Sequence, residues 1–206
     1  MGRILVAVWL LALALGVSAL TRGEPGLRSG DVVLQTSRSE QSRFIQQATG
    51  SPWSHVGLLE LTPAGPVVIE AVGPVKATPW RAWRARGEGG RVLVLRPRDL
   101  PREALAQVVA EARRELGKPY DPRFGWGDEA LYCSELVHKA FLRGAGVALG
   151  EKERLGALLA AAPGNREGLE RAAAARWRGP PPRLLEVVTP ASIARDPQLL
   201  EVAGGD

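Results

Sequence analysis

The sequence predicts an α+β fold, a mostly antiparallel sheet or small barrel packed against helices. Three observations carry that expectation. In the first half, short apolar runs are separated by turn-forming residues, the spacing of hairpins. In the second half, apolar residues recur at i, i+3, i+4 and i+7, the period of a helix face. Of 206 residues, 45% are hydrophobic, enough for one packed core.

The chain opens with an address. Arg3 precedes an apolar run from Ile4 to Gly16, and Val17-Ser18-Ala19 is a small-residue cleavage site. Together they read as a secretory signal over 1–19, leaving a single domain over 27–206 in an exported, periplasmic or envelope protein. The run is short for a membrane span, though retention as an anchor is the alternative.

Gly30-Asp31 reads as a turn and 32–35 as a strand. Residues 39–48 form a helix with Phe44, Ile45 and Ala48 on one face and Ser39 as its cap, stopped by Gly50-Ser51-Pro52. Residues 53–61 and 67–72 are two strands joined by a turn over 62–66. That hairpin brings Glu70 near His55 and Gly57, to within about one residue of register, and a one-residue slip reverses which side chains share a face.

Residues 75–78 continue the sheet, and 79–86 form a short helix carrying Trp80 and Trp83 as packing residues. After a strand at 91–96, 101–116 is a helix with Pro101 at its start and Gly117 past its end. A Gly- and Pro-rich loop over 117–128 leads to a helix starting at Tyr132, with Cys133, Leu136, Val137, Ala140 and Phe141 on one face. Gly144 and Gly146 break it. Alanine-rich helices are expected over 151–162 and 166–177, acting as plain packing or as a lid. A stiff Gly179-Pro180-Pro181-Pro182 linker, a strand at 184–188, a helical turn at 191–195 and a strand at 199–202 complete the chain.

Lys+Arg total 27 against 22 Asp+Glu, for a net charge of +5 and a pI near 10.0. The arginines are scattered and no basic run is interleaved with aromatics, so nucleic acid is not predicted as a partner. For an exported protein the charge suits peripheral association with an anionic envelope surface, a solvated basic surface being the plainer alternative.

Cys133 is the only cysteine. Exported proteins use cysteines in disulfide pairs, and a single one has no partner within its chain. In a first helical turn the macrodipole favours thiolate, as a nucleophile requires. Free cysteines on apolar helix faces are also ordinary packing, so both readings stand on the helix alone. Of the two histidines, His138 lies roughly 140° round the helix from Cys133 and is expected to be exposed. His55 begins a strand and has Glu70 across the hairpin. A cysteine nucleophile needs a base and a group to orient that base, and Cys133, His55 and Glu70 fit that logic. A solvent-facing Glu70 is the alternative. Ligand pairs at zinc spacing and phosphate-binding loops are missing, so no metal or cofactor is predicted.

The segments Gly30-Asp31-Val32-Val33-Leu34-Gln35-Thr36-Ser37, Ser54-His55-Val56-Gly57, Ile69-Glu70-Ala71, Gly117-Lys118-Pro119-Tyr120-Asp121, Tyr132-Cys133-Ser134-Glu135-Leu136-Val137 and Thr189-Pro190-Ala191-Ser192-Ile193 resemble the YiiX-like (YaeF-like) family. These are permuted papain-fold hydrolases of the NlpC-type superfamily. The likeness runs from Gly30 to about Asp196, and His55 precedes Cys133 as in the permuted branch, which also includes lecithin retinol acyltransferase-like enzymes.

The resemblance implies Cys133 as nucleophile, His55 as base and Glu70 as the orienting residue. It makes Tyr120 an active-site wall and hydrogen-bond donor, with Ser54 and Gln35 as further substrate-binding or oxyanion candidates. His138 stands where an aromatic is more usual. The expected function is an exported cysteine amidase or peptidase working through a thioester. The alternatives are a thioesterase or acyltransferase on lipid acyl groups, and a non-catalytic envelope ligand-binding protein with a structural thiol.

Overall fold

The computed structural model describes residues 26–204, so the signal segment lies outside the described residues. Six strands form one open sheet: β1 (Val32–Gln35), β2 (His55–Thr62), β3 (Gly65–Ala71), β4 (Val75–Pro79), β5 (Val92–Pro97) and, by way of a two-stranded ribbon of β6 (Lys152–Arg154) with β7 (Glu186–Val188), the last strand β8 (Leu199–Gly204). The order is β4-β3-β2-β1-β5-β8, and every pairing is antiparallel.

The β2–β3 hairpin fixes the geometry that matters most. Its register pairs Leu58 with Ile69 and Thr62 with Gly65, leaving only Pro63 and Ala64 as the loop. This is tighter than the turn expected from sequence. Gly65 makes it feasible at φ +113°, a conformation that disfavours side chains, and Thr62 Oγ1 donates to the Gly65 carbonyl at 2.7 Å. The same register sets Glu70 opposite Gly57, and His55, two residues from Gly57, shares their face.

Each sheet face is covered. On one, Val32, Leu34, Val56, Leu58 and Ile69 pack against α3 (Arg102–Arg114) and α4 (Cys133–Ala145). On the other, Val33, Leu59, Val68 and Val94 meet Trp80 and Trp83 of α2 (Trp80–Arg86), whose rings stack at 5.5 Å. A second helical layer joins α1 (Glu40–Thr49), α5 (Leu155–Ala161) and α6 (Arg166–Trp177) through Phe44, Ile45, Ala48, Leu159, Leu169 and Ala173. The alanine-rich segments are therefore packed helices. The short α7 (Pro190–Ala194) is capped by Thr189, whose Oγ1 accepts from the Ser192 N–H.

Two boundaries differ from the sequence reading. Gly144 does not end α4. A Cβ there would lie 2.5 Å from the Val108 nitrogen, so the bare backbone lets α4 press against α3. The C-cap is Gly146, left-handed at φ +69°. Residues 152–154 are strand rather than helix because their backbone pairs with β7, and α5 starts where the Leu155 N–H donates to the Leu185 carbonyl at 2.8 Å.

Candidate active site

His55 is the first residue of β2, at the end of the strand, and α4 abuts that end with Cys133 in its first turn. Both side chains are buried, and Cys133 hydrogen-bonds the imidazole. His55 Nε2 lies 2.5 Å from Glu70 Oε2. Glu70 is wholly buried and keeps three partners. Besides His55, its Oε1 accepts from Thr78 Oγ1 at 2.6 Å and from Arg86 Nη2 at 2.5 Å. The structure thus brings Cys133, His55 and Glu70 together, with His55 interacting with both of the others.

The electrostatics follow from burial set against these partners. Burial alone would raise the Cys133 thiol. The hydrogen bond from His55, its positive charge and the backbone N–H groups of Val56 and Ser134 outweigh burial and lower it. Burial alone would depress His55, but Cys133 and Glu70 raise it to about 9. Burial likewise disfavours ionised Glu70, yet His55, Thr78 and Arg86 hold its carboxyl below the usual range. The arrangement favours a thiolate–imidazolium pair.

A cleft of about 360 Å³ opens on Cys133 and His55 and is walled by Gln35, Ser54, Tyr120 and Arg86 among others. Gln41 Nε2 donates to Tyr120 Oη. With that oxygen accepting from Gln41, the phenol proton is left to donate. Burial and the neighbouring Cys133 hold Tyr120 well above the ordinary phenol range, so it stays protonated. Gln35 is buried, and its Oε1 lacks a hydrogen-bond partner among the described residues. Ser54 Oγ already accepts from the Ser37 N–H at 3.1 Å and shares a 2.5 Å bond with Ser42 Oγ, so it also ties the cleft wall together.

His138 corrects an expectation. It is buried, not exposed: Nδ1 donates to the Leu149 carbonyl at 2.7 Å and the ring meets Trp126 edge-on. The cause is that α4 is enclosed on every side through its first nine residues.

Three groups escaped the sequence reading: Thr78, Arg86 and Glu135. Thr78 has a signal in hindsight, because it pairs with Val68 and so shares a face with Glu70. Arg86 has none, since only the tertiary position of α2 brings it to Glu70. Glu135 caps the cysteine helix, its Oε2 accepting from the Tyr132 N–H at 3.3 Å while Oε1 pairs with Lys139 at 2.7 Å. Tyr132-x-x-Glu135 is capping-box spacing with an unusual first residue.

Residues 26–203 match the model of a family described as permuted papain-like amidase enzymes, YaeF/YiiX, C92 family. The chain belongs to this family. It is thereby a cysteine hydrolase of the amidase or peptidase type, with an amide or peptide substrate. The YiiX protein of Escherichia coli K12 is 39% identical over 177 residues, covering 85% of this chain and 86% of that one. The crystal structure of YiiX from Escherichia coli O157:H7 superposes with a TM-score of 0.80 at 38% identity, over 86% of this chain and 97% of that one. The permuted papain-like fold of the C92 family is therefore the fold of this chain.

That YiiX structure is described as a metalloprotein. Among the described residues here, no three His, Cys, Asp or Glu side chains cluster to hold a metal ion. His55 Nε2 is held by Glu70 and the ring interacts with Cys133, an arrangement that does not fit a resident metal.

Proposed function

We propose that this chain is an exported cysteine amidase that cleaves an amide or peptide bond through Cys133, His55 and Glu70. The observation that carries the reading is the His55 ring interacting with both the sole thiol and a buried carboxylate. In the resting pair the proton sits on His55. The thiolate attacks the carbonyl carbon, and the carbonyl π electrons move to oxygen. That oxyanion faces the Cys133 N–H, one of the free donors of a helix N-terminus, with the Tyr120 hydroxyl as a second donor.

As the C–N bond breaks, His55 gives its proton to the amine nitrogen and the amine departs, leaving a thioester. Water then adds to the thioester while His55 takes its proton. The C–S bond breaks, the acid leaves, and the ion pair is restored. Glu70 orients and balances the imidazolium throughout without taking the proton.

Labelling with a panel of acyl and peptidyl electrophiles, and hydrolysis by wild type, Cys133→Ala, Cys133→Ser and His55→Ala, test the reading. Unchanged thiol reactivity and pH dependence in His55→Ala would remove it.

A second reading has one observation in its favour. A cavity of about 40 Å³ with apolar walls adjoins Cys133 beneath α5, against Phe44, Ile45, Leu155, Leu158 and Val187. It suits an apolar acyl group, as in a thioesterase or acyltransferase. A buried thiol without contact to His55 would favour the non-catalytic alternative, whereas the lining of one cleft by both side chains favours the hydrolase.

Export rests on Arg3, the apolar run over 4–16 and Val17-Ser18-Ala19, and envelope association on the net charge of +5. Cell fractionation with N-terminal mass measurement tests both. A mature form beginning after Ala19 in the periplasm or envelope fraction is the expected result.

A further inference from the structure

The open cleft faces cationic side chains. Its walls include Arg38 and Arg86 and no Asp or Glu. Glu70 lies behind His55, fully buried, with its charge answered by His55, Thr78 and Arg86. Outside the walls, Glu40 is exposed in the first turn of α1, and Asp121 accepts from the Arg123 and Gly125 N–H groups.

Arg86 is held in place by its bond to Glu70, yet its side chain remains 38% exposed. One N–H of a five-donor fork serves Glu70, which leaves the remaining donors for the cleft. Arg38 is exposed on the connection between β1 and α1 and makes no ion pair among the described residues. A guanidinium fork matches a planar carboxylate, and one already fixed loses little freedom on binding it.

We propose that Arg86, assisted by Arg38, is a subsite for a carboxylate carried on the leaving amine, so that the preferred substrates are amides of amino acids or of similarly anionic amines. This rests on the amidase reading, which places the leaving nitrogen at His55, the residue that protonates it. Arg86 and Arg38 line the same cleft as His55 and Cys133, so a group carried on the leaving amine can meet the guanidinium there. The apolar cavity beside Cys133 is left for the acyl group. In the overall step the C–N bond breaks, with water supplying hydroxyl to the acyl carbon and hydrogen to the amine.

The test compares N-acetyl-4-aminobenzoate with its neutral twin N-acetyl-4-aminobenzamide, following amine release by chromatography. The carboxamide withdraws electrons more strongly, so intrinsic reactivity favours the neutral twin, opposite to the expected result. Wild type should prefer the benzoate by about tenfold in kcat/KM, the worth of one charge-assisted hydrogen bond. Arg86→Gln should bring that ratio toward one, and Arg38→Gln should lower it partway. The ratio is the readout, because Arg86→Gln also loosens Glu70.

Equal or reversed preference in wild type overturns the proposal. If neither twin turns over, their protection of Cys133 against iodoacetamide decides. Stronger protection by the carboxylate, lost in the Arg86 and Arg38 variants, supports the subsite, and equal protection overturns it. Failure of the amidase reading has a different signature, namely alkylation of Cys133 whose pH dependence ignores His55→Ala.

Discussion

Replacing His55 with alanine should move the inflection of Cys133 alkylation to higher pH, and the size of the effect can be worked from the site. In the folded protein, burial pushes the thiol up while the hydrogen bond and charge of His55 pull it down. Without the ring, burial remains, and the thiol should titrate at or above the ordinary value of about 8.5. At pH 5.5 that leaves at most about one thiolate in a thousand. The loss is partly offset, because thiolates of higher pKa are better nucleophiles, with a Brønsted slope of about 0.4–0.5. Below both inflections, each unit of pKa that His55 removes is therefore worth about a threefold faster reaction rather than tenfold.

The assay is the pseudo-first-order rate of iodoacetamide labelling from pH 4 to 10, read by intact mass, for wild type and His55→Ala. Wild type should keep a thiolate plateau well below the variant's inflection, and the two curves should approach each other at alkaline pH. Superimposable curves would refute the reasoning. They would mean that the imidazole does not stabilise the thiolate, whatever its position beside it.

Hydrolysis should follow a bell. The acid limb marks loss of the thiolate and the alkaline limb falls as pH rises through about 9, where His55 gives up its proton, as a kcat/KM profile would reveal. Glu70→Gln should cut kcat by roughly 10²–10⁴, by analogy with loss of the third triad member, and draw the alkaline limb to lower pH because one support of the raised imidazole is gone. Glu135→Ala should cost about 1–3 kcal/mol in denaturant unfolding, since the Tyr132 N–H loses its acceptor and Lys139 keeps Asp128, the Gly127 carbonyl and the Trp126 ring but loses its buried partner, while Glu135→Gln should cost less. Burial first, against the pull of Lys139, raises Glu135 from 4.5 to about 7, so this group removes stability as pH climbs between those values, and Glu135→Gln should flatten that slope. Gly144→Ala should lower Tm, because the added methyl would meet the Val108 backbone 2.5 Å away and force α3 and α4 apart.

Local pattern accounts for what was legible beforehand. The apolar runs on either side of the turn over 62–66 named the hairpin and brought Glu70 near His55, but only the observed register puts the two on one face. The 3.6-residue period from Cys133 to Phe141 named the cysteine helix. Periodicity is blind to a helix buried all round, and this is why His138 was expected in solvent. It is blind as well to a glycine that stays helical because a neighbouring backbone needs its space, which is the case at Gly144. Arg86 was hidden for a third reason. Its role depends on where α2 packs over the sheet, which no short window of sequence encodes.

The charges along the site alternate in a way that explains how so much of it can be buried. Cys133 is favoured as an anion, His55 as a cation and Glu70 as an anion, and Arg86 ends the row with its side chain partly in water. Each buried charge has an opposite neighbour, and the four together sum to zero. Removing the outermost member would leave a net negative charge among desolvated groups, which such a site relieves by taking up a proton. Arg86→Met should accordingly raise the Glu70 carboxyl and weaken its hold on the imidazolium, although Arg86 touches neither the sulfur nor the ring. A thiol whose alkylation profile is unmoved in Arg86→Met would mean that Thr78 and His55 alone keep Glu70 ionised, and that the arginine serves the cleft rather than the row behind it.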